Sequence, residues 1–414
     1  MIKNSDDSYI RASEPPMSTS SLPEHLEKPN LRPIQPIPVQ KDGKQFVALR
    51  DPCMISKQTM VVPPNVAQAL QFLRGQKTVK EICEFINAPE DQFIKLVQGL
   101  DSVGLLWGPT FEKMEEDIKN EIAQQGYFPM HAAGSLGENA DACRKAINEY
   151  FDQTEDPELE GTARAIVAPH LDYQRGWPNY AAAYYGLRNQ PKPDRVVILG
   201  TNHFGLGDGV VGTEHGFQSP MGICPPDKGV TEKLVERFGR PLIVDQIDHM
   251  PEHSIQLHLP WLQAIWGDVP VVAALLPDPL AEMIEEEGRV TGDQFVEGLR
   301  SVLDEVGGTT FFVASSDLSH VGPQFGEPRP VDEQRRTDVE QHDREMMGKF
   351  ISGDADEFLS AMKWNKNPTR WCSVGNMTAL LQLTAPETIE LVDYRQAYDD
   401  NGQVMVSSAA MVLY

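Results

Sequence analysis

Residues 195–200, RVVILG, form a short apolar run that ends directly at Thr201-Asn202-His203. Three other runs also end at a polar residue, or at a proline followed by one: residues 163–168 (ARAIVA), 269–276 (VPVVAALL) and 309–316 (TTFFVASS). Short runs that are rich in β-branched residues, without polar alternation, are typical of strands buried on both faces. The sequence therefore predicts an α/β fold with a buried, mostly parallel sheet flanked by helices.

The residues that follow these runs predict a functional site at one edge of the sheet. In open α/β sheets, ligands bind outside the carboxyl ends of the strands. His170 and His203 follow two successive runs, where an imidazole nitrogen can ligate a metal ion. Each is alternatively a loop histidine that bonds to backbone, but their repetition at two strand ends favours a metal site.

The segment SSDLSH, residues 315–320, places a carboxylate and an imidazole after a third run. Asp317 and His320 are predicted to form a pair in which the carboxylate orients the ring and favours its protonated form, as an acid/base role requires. The alternative is the start of a capped helix, because serine and aspartate are good N-cap residues.

The segment DHMPEHS, residues 248–254, contains the string H-x-x-E-H. In metalloproteases that use such a motif, the residues lie on one continuous helix, and Pro251 disfavours a helix at this point. The protease interpretation is therefore excluded, and Glu252 and His253 remain as residues that line a site. Cys372 precedes a helical run, so it is either a reactive thiolate at a helix N-terminus or a buried packing residue.

Composition limits the classes of partner. The formal net charge of −25 excludes nucleic acid and anionic membranes as main partners, because both would be repelled. The five cysteines contain no CxxC motif, which fits a reducing compartment. The first residues lack the apolar core of a signal peptide, and no run is long enough to span a bilayer. We therefore expect a cytoplasmic protein without a membrane partner.

The N-terminal third predicts two further segments. Residues 1–40 are rich in Ser, Pro, Glu and Lys and are expected to form a disordered arm. Residues 41–126 predict a strand, three helices and a closing strand, as in a small winged-helix-like domain, with a capping box at Thr78 and Glu81. Residues 127–414 then form the α/β domain, which ends in a strand that pairs antiparallel with the one before it.

Five strings together resemble the Memo family, also called AmmeMemoRadiSam system protein B. They are APHLDY (168–173), ILGTNHFG (198–205), EHSIQLHLPWL (252–262), SSDLSH (315–320) and CSVGNMTALL (372–381). This family is similar in fold to class III extradiol dioxygenases, whose non-haem iron is held by two histidines and a carboxylate. The N-terminal module resembles the PqqD-like peptide-recognition domains of radical-SAM systems, on the strings LRDP, RGQKTVKEI and LDSVGLLWGP.

The resemblance implies a metal site of His170, His203 and Cys372, with iron(II) as the expected metal and copper as the alternative. Asp317 and His320 fall where the fold relatives keep their acid/base motif, and His253 lies beside the site. The family pattern has a cysteine where the dioxygenases have a carboxylate, and a second histidine of the family pattern is replaced by a phenylalanine at position 204. A thiolate is softer and is itself oxidisable, so the fold does not guarantee the dioxygenase reaction.

Three functions follow as hypotheses. The first is a metal-dependent, dioxygenase-like redox enzyme acting on an unknown substrate, with His320 supported by Asp317 as the proton-transfer group and His253 in contact with substrate. The second is a non-catalytic protein that binds metal or peptide and recruits a radical-SAM partner through its N-terminal module. The third is a metal hydrolase, which is disfavoured because a cysteine ligand exposes the site to oxidation without gain.

Overall fold

A computed structural model describes residues 22–205, 209–281 and 288–414 of the protein. The chain divides into two compact units, Met1–Asn120 and Glu121–Tyr414, and the boundary falls within one helix. Across the described ranges, none of the helices combines the length and the apolar character needed to cross a bilayer.

The first unit contains a three-stranded antiparallel sheet and several helices. Its central strand is β2, which pairs with β1 on one side and with β3 on the other. The third helix begins with the predicted capping box, in which Thr78 and Glu81 exchange hydrogen bonds. The elements are α1 Glu24–Glu27, β1 Gln35–Lys41, β2 Lys44–Arg50, β3 Met60–Val62, α2 Pro64–Ala69, α3 Val79–Ile86, α4 Glu90–Ser102 and α5 Pro109–Gln125.

The predicted disordered arm is corrected over residues 22–40. Leu22 and Leu26 are buried in the core of the first unit, and strand β1 begins at Gln35. Burial of these leucines offsets the conformational entropy that ordering the segment costs. The rest of the predicted arm, residues 1–21, lies outside the described residues. The predicted closing strand is reduced to an isolated bridge between Leu31 and Leu106.

The second unit is a large mixed sheet flanked by helices. Its elements are β4 Tyr127–Phe128, α6 Ala140–Asp152, β5 Ala165–Ala168, α7 Tyr173–Tyr185, β6 Arg195–Thr201, β7 Val211–Gly212, β8 Gly216–Ser219, β9 Gly222–Cys224, α8 Lys228–Phe238, α9 Arg240–Ile243, α10 His253–Gln256, α11 Leu259–Trp266, β10 Val271–Leu276, α12 Gly292–Val306, β11 Thr310–Ser315, β12 Asp317–Val321, α13 Glu333–Ile351, α14 Ala355–Asn365, α15 Val374–Thr384, β13 Ile389–Tyr398 and β14 Met405–Leu413.

The strand order of the large sheet is β12-β14-β5-β11-β6-β10-β7, with β13 on β14. The four apolar runs of the sequence are its parallel centre, β5-β11-β6-β10, and nearly all their residues are buried. The outer strands pair antiparallel, so the predicted α/β sheet is a mixed sheet with a parallel centre. The predicted hairpin of β13 and β14 is confirmed, and it joins the sheet beside β5.

Candidate metal centre

Three histidines converge where the parallel strands end. His170 lies two residues after β5, His203 lies two residues after β6, and His253 is the first residue of α10. One ligand atom from each of the three rings lies within 4.8 Å of the others. The His170 ring is buried, whereas the side chains of His203 and His253 are 25% and 31% exposed. The cluster therefore has a buried side at His170 and an open side, where His203 and His253 are partly exposed to solvent.

The tautomer of His170 is fixed by its hydrogen bonds. Its Nδ1 lies 3.1 Å from the Ser315 hydroxyl, which in turn donates a 2.6 Å hydrogen bond to the carbonyl oxygen of Ser254. A hydroxyl has one hydrogen, so Ser315 accepts from Nδ1–H, and Nε2 keeps its lone pair. Burial, followed by the neighbouring imidazoles, lowers the pKa of His170 well below its ordinary value. The ring is therefore neutral, which is the form that ligates a metal ion.

His203 is held by the carboxylate of Glu252. The Nδ1 atom of His203 lies 3.0 Å and 3.1 Å from the two carboxylate oxygens, and its backbone N–H donates to Oε2 at 2.8 Å. A carboxylate accepts the Nδ1 proton and leaves Nε2 for a metal ion, which is the usual arrangement around a ligating histidine.

Glu252 is fully buried and ionised. Burial alone would raise its pKa, but the hydrogen bond from His203 and the charges of His203 and His253 lower the pKa to about 2. The carboxylate also accepts from the backbone N–H of Ser254 at 2.8 Å and lies 3.2 Å from Nδ1 of His253. Glu252 therefore orients two rings of the cluster and caps helix α10.

Ser254 connects the two strand ends that carry the other histidines. Its hydroxyl accepts from the backbone N–H of Thr201 and donates to the carbonyl of the same residue, both at 3.1 Å. Its own carbonyl accepts from Ser315, the residue that fixes His170. Segment 252–254 thus acts on both histidines. Glu252 binds His203 directly, and Ser254 binds Ser315, which orients His170.

Cys372 reaches the same cluster from the residues before α15. Its sulfur lies 3.3 Å from Nε2 of His170 and 3.2 Å from the Ser373 hydroxyl. Burial lowers the pKa of His203, but hydrogen bonds with Cys372 and Glu252 outweigh it and raise the pKa to about 10. The thiol therefore interacts with both rings, and a metal ion bound there would displace a proton from His203.

The expected pair of Asp317 and His320 is not formed, which corrects that prediction. One oxygen of the Asp317 carboxylate accepts a 3.0 Å hydrogen bond from the backbone N–H of His170, and the other lies 3.8 Å from His170 Nε2. Both residues lie on edge strand β12, not at a helix start, and a register shift separates them. The shift adds one residue on β12, because Asp317 lies opposite Ser408 and His320 lies opposite Val406, so both side chains lie on one face of the strand. The Asp317 carboxylate is instead engaged by His170. Burial raises the pKa of Asp317 to about 7.

His320 is a neutral imidazole, not the protonated one that the sequence suggested. Its Nδ1 lies 3.0 Å from the carbonyl oxygen of Leu318 and 3.1 Å from that of Arg370. Carbonyl oxygens only accept, so Nδ1 carries the proton and Nε2 has a free lone pair. Burial lowers the pKa of His320 to about 4. The ring is close enough to lower the pKa of His170 and His253, so it lies beside the cluster.

The string H-x-x-E-H does not lie on one helix. His249 ends a 3₁₀ turn, Pro251 follows, and α10 begins only at His253. The ring of His249 instead contacts the carbonyl oxygen of Val211 at 3.1 Å through Nε2. The exclusion of the protease interpretation agrees with this break.

All six site residues of the sequence prediction lie in or beside the cluster: His170, His203, His253, Asp317, His320 and Cys372. His253 was expected to touch substrate, and the structure places it in the metal-capable group as well. The sequence did not reveal the supporting roles of Glu252, Ser254 and Ser315. The position of Glu252 directly before His253 suggested that it lines the site, but this position does not indicate that Glu252 binds His203.

Known proteins are similar to this chain over most of its length. A family model described as Memo-like protein matches residues 128–412. A MEMO1 family protein of Aquifex aeolicus is 24% identical over 388 residues, which cover 91% of this chain and 98% of the relative. One of Thermus thermophilus is 27% identical over 334 residues, which cover 79% and 94%. The first alignment covers more than the second unit alone, so it includes part of the N-terminal unit. Because the family model matches well over half of the chain, the chain belongs to the Memo family.

Proposed function

We propose that this protein is a metal-dependent redox protein whose ion is held by His170, His203 and Cys372. The observation that carries the proposal is the convergence of two imidazoles, each oriented by its own partner, with the Cys372 thiol 3.3 Å from Nε2 of His170. Such partners are the outer-shell groups that fix tautomer and ring direction in metal sites. His253 is the alternative third ligand, because its ring belongs to the same group.

The donor set fits a transition metal. Imidazoles suit iron, copper and zinc, and a thiolate favours softer ions over magnesium or calcium. Iron(II) is the proposed metal because of the resemblance to class III extradiol dioxygenases, and copper is the alternative because of the thiolate. The Asp317 carboxylate already accepts a backbone hydrogen bond from His170, so it is proposed to steady that ligand.

A bound ion would supply Lewis acidity and one-electron chemistry. The protein would supply the proton acceptor, since Nε2 of His320 has a free lone pair and a pKa lowered by burial to about 4. The open side of the cluster would admit the substrate beside His203 and His253. The ring of Phe204, 6.5 Å from that of His253, adds an apolar wall where the family pattern has a histidine.

We expect His320→Gln to lower oxygen uptake by the iron-loaded protein about 10²–10⁴-fold, the usual contribution of a general base. Glutamine can still donate to the Leu318 carbonyl but cannot accept a proton at neutral pH. Oxygen consumption would be followed with an electrode over a panel of aromatic diols, with metal content measured in parallel.

The matched control is His215→Gln, because the ring of His215 packs on Phe128 outside the cluster. Equal oxygen uptake by the His320→Gln variant and the wild type would remove His320 from the mechanism. Bound metal without any oxygen uptake in the wild type would instead favour the alternative of a non-catalytic metal-binding protein.

A second function, peptide binding by the first unit, is favoured by a groove. The groove has a volume of about 860 Å³ and runs beside strand β3, with α2 and α4 supplying further lining residues. Among the described residues, β3 pairs with β2 only, so its other edge is open to an added strand. Edge-strand addition with alternate side chains in pockets is a general mode of peptide recognition. The proposed occupant is an extended peptide from a radical-SAM system, as the PqqD-like resemblance implies.

We expect Val66→Glu, in this groove, to weaken peptide binding at least about tenfold, because the new charge must be desolvated by an apolar peptide. The peptides would be selected from a random display library against the full chain, and affinity measured by fluorescence anisotropy. The control Val39→Glu changes a valine of β1 that does not line the groove. Selected peptides that bind both variants as well as the wild type would exclude the groove as the binding site.

A further inference from the structure

Asp343, on helix α13, is a fully buried carboxylate outside the metal centre that accepts four hydrogen bonds. Its Oδ1 accepts from the Ser319 hydroxyl at 2.5 Å and from the indole N–H of Trp371 at 2.8 Å. Its Oδ2 accepts from the hydroxyls of Tyr394 and Ser407, at 2.8 Å and 2.5 Å. One side chain thus joins helix α13 to three strands and a loop.

Two of these donors are direct chain neighbours of the candidate site residues. Ser319 precedes His320, and Trp371 precedes Cys372. The indole N–H also lies 3.1 Å from the Ser319 hydroxyl, so the two neighbours contact each other as well as the carboxylate. A shift of the Asp343 side chain would therefore move both site residues together.

Regular secondary structure gives little support to the backbone around His320 and Cys372. Within the described ranges, strand β12 pairs only with β14, and the register shifts between Asp317 and His320. The loop before Cys372 has positive φ angles at Lys366, Asn367 and Arg370, of 57°, 45° and 60°. Such conformations are unfavourable for residues other than glycine and persist only where the surroundings hold them.

Several contacts that hold this loop end at Trp371 or at His320. The Asn367 side chain exchanges hydrogen bonds with the backbone of Trp371, at 2.7 Å and 2.9 Å. The backbone N–H of His320 donates to the carbonyl of Thr369 at 2.7 Å. Asp343 is the group that joins this loop to helix α13, because it binds the Trp371 side chain.

We propose that Asp343 is a positioning residue, which sets where Cys372 and His320 stand relative to the three histidines. The inference rests on the proposed metal site, but the network is separate from the ligands themselves. Its mechanism is geometric: the carboxylate fixes the Trp371 indole, and the indole fixes the backbone from which the Cys372 thiol extends.

Substitution by leucine and by asparagine should separate this role from simple stabilisation. Asp343→Leu removes every acceptor. Asp343→Asn keeps one oxygen for the Trp371 indole, which can only donate, and turns its amide to the hydroxyls of Tyr394 and Ser407, which can also accept. Both changes remove the charge, so both lower stability, but only the leucine should release the loop.

The test uses cobalt(II) alone, titrated anaerobically into the full chain. A cobalt–thiolate bond gives a sulfur-to-metal charge-transfer band that imidazole ligands do not give. We expect the band in the wild type, its retention in Asp343→Asn and its loss in Asp343→Leu while cobalt remains bound by the histidines. The control Asp227→Asn, at the N-terminus of α8, should keep the band. A band of wild-type intensity in Asp343→Leu would overturn the proposal.

Two further measurements keep the outcome decisive. If Asp343→Leu does not fold, Trp371→Phe removes only the indole donor: loss of the band supports the role, and an unchanged band overturns it. If the wild type binds no cobalt, the proposed metal site fails by itself. Alkylation of Cys372 in a Cys53→Ser background then tests the positioning role, which requires an altered rate in Trp371→Phe and is overturned by an unaltered one.

Discussion

Replacing either His170 or His203 with alanine is expected to remove the metal from anaerobically prepared protein. Each ring gives up one nitrogen to a fixed partner, Ser315 or Glu252, and keeps the other for an ion. Loss of an outer-shell partner typically costs about 10–100-fold in metal affinity, and loss of a ligand should cost more. Elemental analysis of iron and copper, with equilibrium competition against a chelator, measures the effect.

The same measurement identifies the third ligand. Cys372→Ser should lower the affinity as strongly as His170→Ala if the thiol is the ligand, whereas His253→Asn should have the larger effect if the three imidazoles bind the ion. His215→Ala, which changes a ring outside the cluster, is the control and should leave the metal content unchanged. Full metal occupancy in both the His170→Ala and the His203→Ala variants would refute the proposed centre.

Glu252→Gln is expected to reduce metal affinity about 10–100-fold and to lower stability as well. The carboxylate accepts from the backbone N–H groups of His203 and Ser254 on different oxygens. A glutamine amide group presents its NH₂ to one of these donors, which leaves a buried donor without an acceptor. The His203 ring then loses the negative charge that fixes its tautomer.

Affinity would be measured by the same chelator competition, and stability by chemical denaturation of the metal-free protein. The matched control is Glu214→Gln, which changes an exposed glutamate two residues after strand β7. Wild-type affinity in Glu252→Gln would mean that the carboxylate stabilises the fold without acting on the metal site.

The sequence predicts those site residues whose position depends on a single strand. Buried strands appear as apolar runs, and the residue after each run must lie at the sheet edge, so His170 and His203 were found directly. The break at Pro251 was also predictable, because proline has a local effect on the backbone.

The parts that could not be predicted depend on contacts between distant segments. Glu252 reaches His203 because α10 begins beside the end of β6, and no spacing in the sequence expresses that approach. Asp317 and His320 looked like a pair because they are close in sequence, but the carboxylate accepts from the backbone of His170, which is 147 residues away in sequence. The burial of Leu22 and Leu26 was hidden by the polar composition around them.

Segment 252–254 contacts the groups that orient both strand-end histidines, and this would affect how the proposed centre captures an ion. Ser254 and Glu252 act on the supports of both strand-end histidines, so the directions of those two rings are set during folding. The entropy needed to align the ligands has then been spent before any ion arrives, and capture requires little reorganisation. A preorganised pair of imidazoles also resists ions that prefer a different ligand angle. In the proposed centre, segment 252–254 would therefore influence selectivity as well as affinity for the ion.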